Sequence, residues 1–197
     1  MLFKIKSGAE ISDDDFDTIY PDELRVVSET HFTPVIVAQK ATRYLVKKAG
    51  TKILDIGSGA GKFCLIGAAC TKGFFIGVEQ RETLHSLAVQ LAKDYRLENT
   101  SFFRADITDI EFQAFDAFYI FNSFYENLDQ GERIDDTIDL DKNRYTEHSN
   151  YVRQQLAAMP KWTRLVTYFS YLDEIPNSYE VQKTDMGGKL KFWEKVV

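Results

Sequence analysis

Three glycines, Gly57, Gly59 and Gly61, stand between the apolar run Lys52-Ile53-Leu54-Asp55-Ile56 and a second apolar stretch from Lys62 to Cys70. Glycines between a strand and a helix let the backbone approach a ligand where any Cβ would clash. The helix start behind them favours an anionic group. Asp55 sits at an apolar strand end, and a buried carboxylate must be hydrogen-bonded. It therefore holds the glycine loop, meets a ligand, or does both. Further polar residues close later apolar runs: Glu79 after 74–78, Asp106 after 100–103, and Asn122-Ser123-Phe124-Tyr125 after 115–121. Such strand ends are where open α/β sheets bind their ligands.

Spacing separates the schemes that use a glycine turn of this kind. A phosphate-binding P-loop needs Ile56 to be glycine and Phe63 to carry a hydroxyl, and neither holds. A dinucleotide fingerprint puts its third glycine one position later, where Lys62 stands. At Leu54-Asp55-Ile56-Gly57-Ser58-Gly59-Ala60-Gly61 the chain resembles the first motif of the class I methyltransferases, (L/V)-D-(I/V/L)-G-x-G-x-G. The resemblance spans 52–126. It implies a Rossmann-like, seven-strand enzyme that uses S-adenosylmethionine.

That resemblance assigns roles by position. Gly57, Ser58, Gly59 and Gly61 lie under the methionine and ribose parts of the cofactor, and Asp55 holds the glycine loop, reaches the methionine ammonium through water, or does both. Glu79, with Gln80 beside it, accepts hydrogen bonds from the ribose hydroxyls. Asp106, with Ile107, meets the adenine amino group, or else caps the turn that begins near Thr108. Phe32 and Thr33, in His31-Phe32-Thr33-Pro34, start a helix that covers the cofactor or merely cap it locally. The loop Asn122-Ser123-Phe124-Tyr125 looks like a degenerate (Asp/Asn)-Pro-Pro-(Tyr/Phe) motif of amino-group methyltransferases. It also resembles the Asn-Asn-Phe-x-Phe loop of the seven-strand histone-lysine lineage. On that likeness Asn122 and Tyr125 are the catalytic candidates, Asn122 also touching the cofactor, and the acceptor atom is nitrogen. Ser123 and Phe124 replace both prolines. The competing reading makes Asn122 a turn cap and Phe124 and Tyr125 core aromatics. Methyl transfer is an in-line displacement that needs alignment more than a covalent nucleophile, and no catalytic triad is visible. His31 and, more weakly, Tyr20 are further candidates, whereas His85 reads as helix surface and His148 as part of an insertion.

The elements that must position these residues alternate. Continuous apolar strands separated by helices imply a mostly parallel sheet covered on both faces, hence a doubly wound α/β fold. Seven strands are expected. The last is antiparallel, because Met186-Gly187-Gly188 reads as a tight hairpin connection. Ser12 before the acidic run reads as a helix N-cap. A helix opening at Thr33-Pro34 turns Ile36, Ala38, Ala41, Tyr44, Leu45 and Ala49 inward and ends at Gly50. Residues 1–50 are then an N-terminal helical extension over the cofactor site, and 51–197 the methyltransferase domain. Within that domain the stretch 126–150 reads as an insertion, with a helix only from Tyr151 to Met159.

Composition sets the outer limits. The 197 residues are 44% hydrophobic and 27% charged, and the formal net charge is −6. That suits one folded domain and excludes a broad basic face for duplex nucleic acid. Acids crowd at Asp13, Asp14, Asp15 and Asp17, and again at Asp129, Glu132, Asp135, Asp136, Asp139 and Asp141, most simply as solvated surface. The two cysteines, Cys64 and Cys70, face different sides of one helix, which implies no disulfide, no metal site and a reducing compartment. No segment is long and apolar enough for a membrane span. The expectation is a cytoplasmic enzyme acting on a small-molecule or protein substrate, without a metal and without a membrane partner. Two alternatives remain: an S-adenosylmethionine-binding protein without catalytic activity, and an NAD(P)-dependent oxidoreductase sharing the strand-glycine-helix layout.

Overall fold

A computed structural model describes residues 2–7, 9–129, 131 and 133–197. Glu132 of the second acidic run lies outside the described residues. Seven strands form one sheet: β1 (Lys52–Ile56), β2 (Phe74–Glu79), β3 (Thr100–Arg104), β4 (Ala117–Phe121), β5 (Arg164–Tyr168), β6 (Tyr179–Asp185) and β7 (Leu190–Lys195). Their order is β3-β2-β1-β4-β5-β7-β6. The first five strands pair in parallel, while β7 is inserted antiparallel between β5 and β6. This is the mostly parallel sheet with an antiparallel last strand expected from the apolar runs and the Gly187-Gly188 turn, both of whose φ angles are positive. The strand order reverses between β1 and β4. At such a switch point the loops leave a crevice at the carboxyl ends of the strands.

Two apolar layers cover the sheet. One face carries α4 (Val35–Leu45), α5 (Lys62–Cys70) and α6 (Glu82–Asp94), joined by the N-terminal helices α1 (Leu2–Lys6), α2 (Asp13–Asp17) and α3 (Asp22–His31). The other face is covered by α7 (Lys142–Ala158) and the short 3-10 turns Ile107–Asp109 and Phe112–Ala114. Nearly every residue of α5 is buried, as an all-round apolar helix requires. Ser12 caps α2 as expected, its hydroxyl accepting the Asp15 N–H at 3.1 Å.

Two elements depart from the sequence reading. The buried face of α4 is Val35, Val37, Ala38, Ala41, Thr42 and Leu45, and Ile36 is 46% exposed. The helix stops at Leu45, and Gly50 instead makes a positive-φ turn into β1. The second element is in the 126–150 stretch: α7 begins at Lys142, nine residues before Tyr151, because Asp141 caps it through the Asn143 and Arg144 N–H groups. A sparse apolar pattern hid this helix. Its exposed side is strongly polar, and only His148, Ser149, Val152 and Leu156 are buried.

Candidate active site

The glycine turn is built by conformation and by close approach. Gly57 has φ +74, and a Cβ there would lie 2.8 Å from the Ser123 Cβ. Gly61 has φ +81, and its Cβ would meet the Phe102 ring at 2.8 Å. Only glycine satisfies both demands. The Gly57–Ser123 approach brings the loop after β1 against the loop after β4. The Ser123 hydroxyl donates to the Ile56 carbonyl and straps the two together. A hydrogen bond thus stiffens this loop where the related motif uses prolines. Ser58 is buried with its hydroxyl unpaired, lying where Gly77 leaves room for it.

Glu79, at the end of β2, is 7% exposed and grips this loop. Its two oxygens accept the Gly59 N–H at 3.0 Å and the Arg81 N–H at 2.8 Å. Burial pushes its carboxyl up, against the pull of those donors and of the Arg81 charge. The Arg81 side chain, itself 6% exposed, then spans the mouth of the cleft. It pairs with Glu126 and, at 2.9 Å, with Asp135. Glu126 also faces His31 Nδ1 at 3.5 Å and accepts the Ile134 N–H at 3.2 Å. This network draws the segment before α7 over the cleft, where Ile134, Ile138 and Leu140 form part of the wall. The enclosed volume is about 100 Å³, below the ~300 Å³ of the smaller ligand pockets.

A second, smaller recess continues behind Gly57, lined by Phe32, Thr33, Asp55, Ser58, Lys62 and Phe63 among others. Phe32 packs toward Gly59 and against the buried ring of Tyr20. Tyr20 is therefore core and not a candidate base. The Thr33 hydroxyl lies 3.1 Å from that of Tyr119. Among the described residues the Asp55 side chain has one hydrogen-bond partner, the Cys64 thiol at 3.4 Å, so it does not tie down the glycine loop. Burial pushes its pKa up to about 7, partly countered by the thiol and reinforced by Glu79. A carboxylate so short of donors is a ready partner for a cationic ligand group.

Asp106 lies off the lining, although Ala105 and Ile107 on either side belong to it. Its Oδ1 accepts from the Thr108 N–H and hydroxyl at 2.9 and 2.8 Å, and its Oδ2 faces His148 Nε2 at 3.1 Å. The His148 hydrogen bond holds the Asp106 carboxyl well below the usual range. His148 is therefore a buried partner of a strand end, on α7, and not part of a solvated insertion. Gly61 also stays off the lining and serves the turn into α5.

Asn122 follows β4 in a left-handed conformation, φ +46. Phe124 is buried, as the core-aromatic reading required. Asn122 and Tyr125 line the cleft together with Phe124, and unlike Phe124 both also line a second groove toward β5 and β7. The tyrosine ring stacks on Tyr171, and its hydrogen bond with Tyr171 pushes the phenol up to about 12. So Phe32, Thr33, Asp55, Gly57, Ser58, Gly59, Glu79, Gln80, Ile107, Asn122 and Tyr125 converge on two connected cavities. Sequence reasoning missed Arg81, His148, Cys64 and Lys62. Only Cys64 left a signal, since a buried Asp55 needs a donor and position 64 lies on the next helix.

A family model described as a methyltransferase domain matches residues 47–181. No curated protein matches the sequence. Among solved structures, magnesium protoporphyrin IX methyltransferase from Synechocystis, with bound S-adenosylmethionine, is similar at TM-score 0.60 and 14% identity, over 92% of this chain and 90% of that one. TrmN from Thermus thermophilus gives TM-score 0.61 at 19% identity, over 86% of this chain and 51% of its own. The [4+2]-cyclase SpnF gives 0.53 at 18%, over 78% and 47%. The chain thus spans about half the length of the last two. Matched over residues 47–181, the chain belongs to the methyltransferase-domain family.

Proposed function

We propose that the chain transfers a methyl group from S-adenosylmethionine to a nitrogen atom, with Asn122 and Tyr125 at the point of transfer. The observation that carries this reading is that these two residues line both the glycine-loop cleft and the neighbouring groove. Cofactor and acceptor would meet across them.

The chemistry of the donor set fits the cofactor. The under-partnered Asp55 suits an ammonium or sulfonium charge, and Gly57 and Gly59 line the cleft with bare backbone. Glu79 is proposed for the ribose hydroxyls, with Gln80 and Ile107 further along the cleft. Phe32 and Thr33 close the methionine end. Asp106 is proposed to shape the Ala105–Ile107 wall, because its oxygens already serve Thr108 and His148. When bound, the cofactor supplies an electrophilic methyl and departs as S-adenosylhomocysteine, keeping the C–S electron pair.

The chain's own residues must align the acceptor and exclude water. The Asn122 amide oxygen is proposed to accept an N–H of the acceptor and so aim its lone pair. The groove lining holds no carboxylate and no imidazole among the described residues. That favours an amine that is neutral at working pH, whose lone pair attacks directly and whose surplus proton then passes to water, over a hydroxyl that needs a base.

The test is incubation with methyl-labelled S-adenosylmethionine and a panel of small amines, alcohols and thiols. Label in amines, lost in Asn122→Ala, is the expected result. Label only in oxygen or sulfur acceptors would overturn the choice of nitrogen. A second reading, cofactor binding without methyl transfer, is favoured by SpnF, since the same fold there belongs to a [4+2]-cyclase. It predicts retained binding with no labelled product from any acceptor.

A further inference from the structure

The groove on the far side of Asn122 has a volume of about 440 Å³, within the range of small-molecule pockets. Its walls include Tyr125, Phe169, Tyr171, Lys189 and Lys191. Phe169 and Tyr171 are 45% and 58% exposed, and aromatic surface gathered in a concavity marks a binding site. Tyr125 stacks on Tyr171 with centroids 5.5 Å apart.

The backbone around these rings is strained. Phe169 follows β5 directly with φ +51, just as Asn122 follows β4 with φ +46. A bulky aromatic in the left-handed region is a conformational outlier and persists only when neighbours enforce it. Here the Phe169 N–H donates to the Lys189 carbonyl at 3.1 Å, tying the end of β5 to the start of β7. Such strain clusters at ligand sites.

The charged residues of the lining are both cations, while Asp129 and Glu174 stand behind the wall on Tyr125 and Ser170. Lys189 Nζ lies 4.5 Å from the Phe169 ring centroid. Neither Lys189 nor Lys191 has a carboxylate within salt-bridge distance among the described residues, whereas Lys40, Lys47 and Lys62 do. Two cations without counter-ions beside three rings are the chemistry that recognises a flat anion. The rings stack on its plane, and the ammonium groups pair with a carboxylate or phosphate.

We propose that this groove takes the methyl acceptor as a small aromatic amine carrying one anionic group, its ring against Phe169 and Tyr171 and its anion at Lys189 and Lys191. The proposal rests on the methyltransferase reading above and adds the class of substrate to it.

The test is calorimetric titration of the full chain, saturated with S-adenosylhomocysteine, with para-aminobenzoate, para-aminophenyl phosphate and aniline. At least one anionic probe should bind about tenfold or more tighter than aniline, the effect of one charge-assisted contact. The comparison of the two anionic probes tells carboxylate from phosphate. The double variant Lys189→Met/Lys191→Met should lose that advantage while keeping its S-adenosylhomocysteine affinity, which shows that it is folded. Equal affinity for all three probes, no binding of any of them to the loaded chain, or an unchanged double variant would overturn the proposal. Failure of the chain to bind S-adenosylhomocysteine at all would instead bring down the methyltransferase reading, and this one with it.

Discussion

Two carboxylates carry most of the residue-scale argument, and their surroundings differ. Glu79 is clamped by two backbone donors. Glu79→Ala should therefore both loosen the glycine loop and leave ribose hydroxyls unpaired. We expect cofactor binding to weaken by about 1–3 kcal/mol, measured by calorimetry; unchanged affinity would remove Glu79 from the site. Asp55 titrates instead. Its pKa stands at about 7 in the folded chain, against about 3.9 unfolded. The folded state holds the extra proton between those values, so folding stability is full below pH ~4 and falls as pH rises to about 7. Asp55→Asn should abolish that part of the slope in denaturant unfolding followed across this window. Parallel curves for the chain and the variant would contradict it. Glu79 and Glu174, also raised by burial, contribute in the same direction. At this scale the glycines, Asp55, Glu79 and Asn122 were legible because each sits where an apolar run ends. Arg81 and His148 were not, since their partners come from segments distant in the chain.

At the scale of elements, the structure depends on two ionic fasteners that no local pattern announces. Lys62, the first residue of α5, is 3% exposed and pairs with Asp13 and Asp17 at 2.7 Å each. Asp13 also accepts the Val35 N–H at the start of α4. One lysine beside the glycine turn therefore anchors α2 and α4 over that turn. The acids that read as solvated surface in the sequence are, at Asp13 and Asp17, its counter-ions. Lys62→Met leaves them uncompensated and should cost about 3 kcal/mol, a fall of about 6–12 °C in Tm for a chain of this size; a Tm within a degree of the parent would refute the anchor. The second fastener is Arg81, which holds Glu126 and Asp135 over the cleft. The cleft beneath this wall measures only about 100 Å³, so binding of the proposed cofactor is expected to move the wall. Arg81→Ala should speed amide exchange across residues 133–140 while leaving β1 and β4 protected. Equal exchange in both proteins would show that the wall is held some other way. The helix α7 was half-hidden in the sequence for a related reason, because its start is written in the Asp141 cap and not in apolar periodicity.

The whole molecule was the most legible of the three scales. Strands such as Lys52–Ile56 and Ala117–Phe121 are buried on both faces, and only a parallel sheet under two helical layers accommodates such runs. The antiparallel β7 followed from two glycines. What the order of strands then supplies is a crevice at the switch point between β1 and β4, and the candidate residues gather there because each belongs to the carboxyl end of a strand. The proposed acceptor groove was less legible, since Phe169, Lys189 and Lys191 come together only when β5 and β7 are placed side by side. This crevice is the proposed binding site of S-adenosylmethionine. The most direct measurement is calorimetric titration of the full chain with S-adenosylmethionine and S-adenosylhomocysteine, with a nicotinamide dinucleotide as control. The account predicts saturable one-site binding of both sulfur compounds and none of the dinucleotide. A folded chain that binds neither sulfur compound, or prefers the dinucleotide, would contradict it.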